Sequence, residues 1–367
     1  MSTSSGDVMK QKLRLDSGGV AVNTPHRPFS PSQARRTSRS ALYRLHQLMK
    51  AGTPRVAIQR GEGIGDVLMT TPTAHAIKLL FKQSHLTYVT NTTYLDGALV
   101  KTLKYNPDVD EIVERNVFSV QDYDLVLNLH CPCIAHEKPG LPPVNRIDLF
   151  ARHVGIRLQD HRPRYYLLRE EVKAEQKLFD TWREPTMLVQ PFASNERRSM
   201  DHRVLKDAVV RMWEQYRVRS VVVTHGRDWS SDTLWDNLPG SVQIHNADVR
   251  RIAAMMAHVD LVLCPDSSLL HLAGALEVPT VSIFGPTHPA ARVNHYPQAV
   301  AIWHGEKMKP CPCWYESCPI GENCWKLITS NEIVEACVQH MENTSKVDMN
   351  TLPVHEPGQM VVETEVV

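Results

Sequence analysis

The chain has 367 residues, with 41 Lys and Arg against 40 Asp and Glu, a formal charge of +1 and 42% apolar residues. That composition excludes a wholly disordered chain, and the length exceeds what one core usually fills, so two domains are expected. Apolar runs such as 221–223 and 261–264 fall far short of the roughly 20 residues a bilayer helix needs. The first 30 residues hold no apolar signal region, so a cytoplasmic location is expected, with the eight cysteines as reduced thiols or metal ligands.

Residues 1 to about 40 are rich in Ser, Thr, Pro and Arg and show no hydrophobic period, with a short helix expected around Ala41 to Lys50, so residues 1–50 read as a basic, largely disordered arm. The whole-chain +1 divides into +7 for this arm and −6 for residues 51–367. A flexible basic arm suits phosphate backbones or acidic lipid head groups, and the simpler expectation is a solvated tail without a partner. Strand and helix patterns then alternate. Arg55 to Gln59 is a strand, a Gly-rich turn follows, and Val67 to Lys82 is helical. Leu86 to Thr90, Glu111 to Glu114 and Leu125 to Leu129 are further strands, with a helix over Thr93 to Lys104. The rhythm pauses at Arg162 to Arg169 and a second series begins. Its strands are Met187 to Gln190, Ser220 to Thr224, Val242 to His245, Leu261 to Cys264 and Thr280 to Phe284. Its helices include Asp201 to Gln215 and Asp248 to Val259, and the capping box Thr329-Ser-Asn-Glu332 opens a last helix through about His340. This βαβ rhythm predicts an α/β protein of two Rossmann-like domains facing a cleft, 51–168 and 185–342, with a flexible tail at 343–367.

Two motifs carry chemistry. Arg60-Gly-Glu-Gly-Ile-Gly-Asp66 lies between a strand and a helix, where Gly63 and Gly65 let the backbone approach a ligand and free N–H groups face an anion. Its spacing is neither the dinucleotide fingerprint nor a P-loop, and the second strand ends at Thr90-Asn91 without the acidic residue a ribose needs, which disfavours a dehydrogenase. Asp66 adds a carboxylate that either caps the helix or faces the cleft. In Cys264-Pro-Asp266-Ser267-Ser268-Leu-Leu-His271 a buried strand ends at a helix start suited to a diphosphate, and His271 lies one turn in. A lone histidine there is more often structural.

The stretches Gly-Ile-Gly-Asp-Val-Leu-Met-Thr-Thr-Pro and Asp-Ser-Ser-Leu-Leu-His-Leu-Ala-Gly-Ala-Leu-Glu-Val-Pro-Thr-Val-Ser-Ile-Phe-Gly-Pro-Thr resemble the N- and C-terminal signatures of glycosyltransferase family 9, the family of the ADP-heptose:lipopolysaccharide heptosyltransferases. The resemblance covers roughly residues 54–342. It implies a GT-B fold and metal-independent, inverting transfer of a sugar from a nucleotide donor, with Asp66 as general base and no cofactor. Donor binding would fall to Gly63, Gly65, Arg197, Arg198, His225, Gly226, Asp266, Ser267, Ser268 and His271. Two departures stand out: Ser268 replaces the family's usual glycine, and the cations Arg197 and Arg198 lack the Trp-Pro that usually follows. Cys313 through Cys324, with Cys318-Pro-Ile-Gly321, also resembles a Cys-rich segment of many members, and Cys311 completes a cluster of four cysteines, Cys311, Cys313, Cys318 and Cys324. Their spacing is irregular for zinc, so thiols packing a loop are the first expectation and a structural zinc the second. For Cys131-Pro-Cys133 a tight turn is the expectation.

The expected partners are a nucleotide-sugar donor and an acceptor glycan, with peripheral membrane contact left open. The alternatives are the same chemistry on a nucleic-acid acceptor, such as a modified base in viral DNA reached by residues 1–50, and a non-catalytic nucleotide-sugar-binding protein that kept the fold.

Overall fold

Val56, Ala57 and Ile58 are wholly buried, the unbroken apolar run a parallel strand needs when helices cover both of its faces. They form β1 (Arg55–Gln59), which pairs in parallel with β2 (His85–Thr90) on one side and β4 (Leu125–Asn128) on the other. Beyond β2 lies β3 (Glu111–Glu114), giving the order β3-β2-β1-β4. The structure, a computed structural model, describes residues 43, 47, 52–130, 132–133, 136–137, 141–225, 235–308, 311–313, 318 and 324–355. Apart from Tyr43 and Gln47, the basic arm lies outside these residues, as do Cys131 and Gly226.

A second parallel sheet contains β5 (Thr186–Val189), β6 (Arg219–Thr224), β7 (Ser241–His245), β8 (Leu261–Pro265), β9 (Thr280–Ile283) and β10 (Ala299–Ile302). Its order is β10-β9-β8-β5-β6-β7. The helices are α1 (Ile64–Leu80), α2 (Ala98–Leu103), α3 (Arg146–His153), α4 (Arg169–Phe179), α5 (His202–Tyr216), α6 (Val249–Met256), α7 (Ser268–Leu276) and α8 (Ser330–Asn343). In each sheet the strand order reverses beside its first strand, between β1 and β4 and between β5 and β8. Such reversals leave a crevice at the carboxyl ends of the strands, where ligands of open α/β sheets bind. Both sequence motifs start there: Arg60 follows β1, and Asp266 follows β8. Two doubly wound domains are therefore present, as the alternating pattern predicts.

Local departures from that pattern have local causes. Helix α1 begins at Ile64, and Pro72 inside it has no N–H for the carbonyl of Leu68. The Thr71 hydroxyl donates to that carbonyl at 2.7 Å and so replaces the missing bond. Helix α2 starts five residues later than expected because Leu95, Asp96 and Gly97 all take positive φ, which makes a turn there instead. Helices α3 and α4 and strand β10 were not expected, being short or rich in charge.

The expectation of a flexible tail from residue 343 is corrected for residues 344–355. They run back to the first domain, where Leu167 N–H donates to Pro353 O at 2.9 Å and His355 N–H to Leu167 O at 2.8 Å. Leu352 and His355 are buried by this return. Apolar burial and these ladder-like bonds hold a segment that has no hydrophobic period of its own.

The domains also meet through α1 against α7, and through α2 and α4 against α6. Arg250 of α6 is buried in the second contact. It forms a two-pronged pair with Glu171 and donates to the carbonyls of Lys101 and Tyr166, both at 3.1 Å. The Tyr105 and Tyr165 rings lie 4.6 and 5.5 Å from its guanidinium. Arg250→Ala is expected to lower the unfolding free energy by about 3 kcal/mol, as for the loss of one partner of a buried pair. Urea denaturation of the variant measures it, and a loss below about 1 kcal/mol, the size of a surface pair, would overturn this role.

Candidate active site

The loop after β1 is shaped by close approach. A side chain on Gly61 would meet the His130 ring at 2.8 Å, and Gly63 takes a left-handed φ of 80° where α1 begins. A Cβ on Gly65 would lie 2.3 Å from Cδ2 of His271. The backbone of the first domain thus touches α7 of the second at the residue before Asp66. Asp66 itself does not cap α1: the N-cap is Gly63, and no side chain caps it. Its carboxylate is instead held by Arg60 on one oxygen and Arg146 on the other.

These pairs open a line of alternating charge across the domain boundary. Arg146, in the first turn of α3, also grips Glu137 with two bonds of 2.6 Å. Glu137 accepts at 2.9 Å from Nη1 of Arg292, which belongs to the second domain. Nε of Arg292 lies 3.5 Å from Asp266. Arg198 donates to the Asp266 backbone carbonyl at 3.1 Å and stands 3.9 Å from its carboxylate. The order is Arg60, Asp66, Arg146, Glu137, Arg292, Asp266, Arg198. Asn145 supports the crossing: its side chain accepts from Ile147 N–H to cap α3 and donates to Arg292 O at 3.2 Å. Arg292 and Asp266 are each only 1% exposed, so their charges are compensated by partners and not by water.

Burial and these neighbours divide the titrating groups. Burial raises the Asp66 carboxyl, but Arg146, Arg60 and Arg292 outweigh it and hold the group well below the usual carboxylate range. Glu137 and Asp266 are lowered in the same way against burial, chiefly by Arg292. His271 moves oppositely to its acid neighbours' pull, because burial depresses it to about 4 and leaves it neutral near pH 7. Its Nδ1 lies 2.8 Å from the Tyr296 hydroxyl. With that hydroxyl donating, the imidazole proton sits on Nε2, on the side of Gly65.

The expected donor residues gather at the carboxyl ends of the second sheet, with Arg197 and Arg198 after β5, His225 after β6, and Asp266, Ser267 and Ser268 after β8. Gly226 lies outside the described residues. Asp266 is not a cleft-facing group: it is buried, accepts from Thr287 at 2.8 Å and anchors two arginines. Arg197 donates toward Cys313 Sγ at 3.2 Å, which ties it to the cysteine loop. The four sulfurs do not converge into one set. Cys311 and Cys324 pair at 3.6 Å, and among the described residues no three cysteines lie close enough to share an ion. Ser267 donates to Gln190 and leaves α7 without a side-chain cap. Sequence reasoning missed Arg60, Glu137, Arg146, Arg292 and Tyr296. Arg60 stands within the first motif, and Arg292 follows the second signature by five residues, so proximity to those motifs was the available signal.

The depressed His271 value makes a stability prediction. Above pH 6.5 neither state is protonated there; between 6.5 and 4 the unfolded chain binds a proton that the folded chain excludes. Stability therefore falls as pH drops through that window, by about 3 kcal/mol from this residue. His271→Asn is expected to flatten the loss, as read from thermal or urea midpoints at pH 4 to 7. An equal loss in both proteins would show that His271 is not the cause.

No curated protein is similar enough in sequence to match. Solved structures share the fold. A family 9 glycosyltransferase from Veillonella parvula has 14% identity and a TM-score of 0.61 over 80% of this chain and 98% of that one. ADP-heptose lipopolysaccharide heptosyltransferase II of E. coli has 13% identity and a TM-score of 0.57 over 79% and 99%. The E. coli heptosyltransferase WaaC, solved with ADP-2-deoxy-2-fluoro heptose, has 15% identity and a TM-score of 0.51 over 79% and 100%. No helix among the described residues is long and apolar enough to cross a membrane. The family model of glycosyltransferase family 9 (heptosyltransferase) matches residues 133–321, over half of the chain, and the two facing sheets have the GT-B architecture: the chain belongs to glycosyltransferase family 9.

Proposed function

We propose that this glycosyltransferase moves a heptose-like sugar from a nucleoside-diphosphate donor to an acceptor hydroxyl with inversion, and that Asp66 is the general base. The observation that carries this reading is a carboxylate in the first turn of α1, held in its ionised form by arginines and one residue from the contact with α7. The diphosphate is assigned to the crevice beside β5 and β8, at the start of α7. No side chain caps that helix, so its first-turn amides are available to an anion, and the helix dipole favours it. This arrangement stabilises the departing charge without calling on a divalent ion at the diphosphate.

In the reaction the acceptor oxygen attacks the anomeric carbon while its proton passes to Asp66. The bond from that carbon to the phosphate oxygen breaks, and the diphosphate leaves with the bonding pair. Two guanidinium groups weaken Asp66 as a base, so the acceptor hydroxyl must displace one of them. Arg60 is the partner to be displaced: its other anchor is one bond of 2.7 Å to the neutral carbonyl of His130, whereas Arg146 is held by two charge-assisted bonds to Glu137. A glycan hydroxyl is the acceptor class proposed here. The nucleic-acid alternative rests on residues 1–50, whose charge alone supports it.

Asp66→Asn is expected to lower transfer by roughly 100- to 10,000-fold, the usual worth of a positioned base, while a nucleotide-sugar such as ADP-heptose still raises the thermal midpoint. Unchanged transfer with a confirmed donor would remove Asp66 from the mechanism. Arg60→Gln removes a cation and so raises the Asp66 value toward the ordinary carboxylate range near 4. The acid limb of the kcat/KM profile is then expected to move to higher pH than in the unaltered protein. A limb that stays in place would count against proton transfer to this carboxylate.

A further inference from the structure

Away from the Asp66 line, three elements bring two imidazoles onto one carboxylate. Asp148 lies in the first turn of α3, His161 between α3 and α4 in the same domain, and His295 in the loop between β9 and β10 of the second domain. His295 Nε2 is 3.1 Å from Oδ2 of Asp148, and His161 Nε2 is 3.2 Å from Oδ1. The imidazole rings are stacked with centroids 4.1 Å apart and planes 23° from parallel. One donor atom from each residue lies within 4.8 Å of the others, and this is the one such group among the described residues. The three side chains are between 21% and 31% exposed, which is open enough for an ion to enter.

We propose that Asp148, His161 and His295 form a binding site for a divalent transition ion of the zinc class, joining the two domains. A tetrahedral zinc ion with bonds of about 2.0–2.1 Å separates neighbouring ligand atoms by about 3.3 Å. The two nitrogen–oxygen separations stand close to that value, but each imidazole faces a different oxygen of Asp148 and the rings are near parallel, so binding requires the imidazoles to turn toward a shared point. Two neutral imidazoles and one carboxylate select zinc, cobalt or nickel over magnesium or calcium, which prefer all-oxygen sets. Three protein ligands leave a fourth position for water. The nearest competing cation is Arg152, which reaches Asp148 only at 4.0 Å and is 67% exposed, so it can swing aside. Arg162, beside His161, is occupied by Glu277 at 3.3 Å.

The ion would sit apart from the sugar-transfer chemistry. Asp148 is two residues beyond Arg146, about 200° around α3, so the helix turns one side toward Asp66 and the other toward the ion. Its effect would be to tie α3 to the loop that carries Arg292.

The test uses the full chain, freed of metal by chelation and titrated with zinc alone and with cobalt alone. Calorimetry is expected to find a zinc ion bound by the unaltered protein and lost in the double variant His161→Ala, His295→Ala, with the thermal midpoint rising only in the former. The affinity loss is expected to exceed about 100-fold, since even outer partners of metal ligands cost about 10–100-fold. His161→Gln, altering the most exposed of the three, serves if the double variant fails to fold. Cobalt in the unaltered protein should give visible bands without the intense near-ultraviolet band of sulfur ligation. Equal zinc binding and equal stabilisation in all variants would overturn the proposal, as would a purely sulfur-type cobalt spectrum. An absence of zinc binding would leave a hydrogen-bonded cluster only and would equally overturn it.

Discussion

Seven charged side chains in alternating order cross from one domain to the other, and the buried ones have little water to screen them. Glu137 receives Arg146 from its own domain and Arg292 from the other, and Arg292 in turn stands against Asp266. Taking a charge out of water is unfavourable by several kcal/mol unless partners replace the water. Separating the domains would therefore strip Glu137 and Arg292 of a partner each. Domain approach and charge neutralisation are one event, and the setting of Asp66 is decided by residues as distant in sequence as Arg292. The same burial that keeps His271 neutral fails to neutralise Asp66, because arginines surround the acid. Burial thus decides the protonation of His271, while charged neighbours decide that of Asp66.

Close backbone packing makes this possible. Gly65 leaves no room for a side chain between α1 and the His271 ring, so the helices can meet at the mouth of both crevices. The Thr71 hydroxyl, bonded to the Leu68 carbonyl, keeps α1 continuous through Pro72, which would otherwise break its ladder. Regular secondary structure delivers Asp66 and α7 to one boundary, and side chains from three further segments then lock it.

Much of the architecture was legible because strand cores are unbroken apolar runs: β1 and β3 have the limits that their residues suggest, the other expected strands differ by a residue or so, and only β10 went unseen. Helix α3 was not, since eight residues with mixed charges resemble a loop until Asn145 is seen to cap them. The alternating charges were less visible still. Arg146 and Asp66 are 80 residues apart, and Glu137 and Arg292 are 155 apart. Nothing in an arginine's identity tells a buried partner from a solvated one. Asp266 shows how little position alone tells: the resemblance assigns it to donor binding, and its buried surroundings make it an anchor for two arginines. Resemblance could point to signature residues, but the residues that tune them lie outside the signatures.

The return of residues 344–355 to Leu167 places the two covalent crossings between the domains side by side. A single crossing would permit swivel about any axis through it. Two adjacent crossings resist twisting, so any relative motion of the domains would be confined to bending about the line that joins them. Displacement about a hinge grows with distance from it, so small rotations there suffice to open a remote cleft mouth. A segment without a hydrophobic period of its own is thus the one that restricts how the two domains could move.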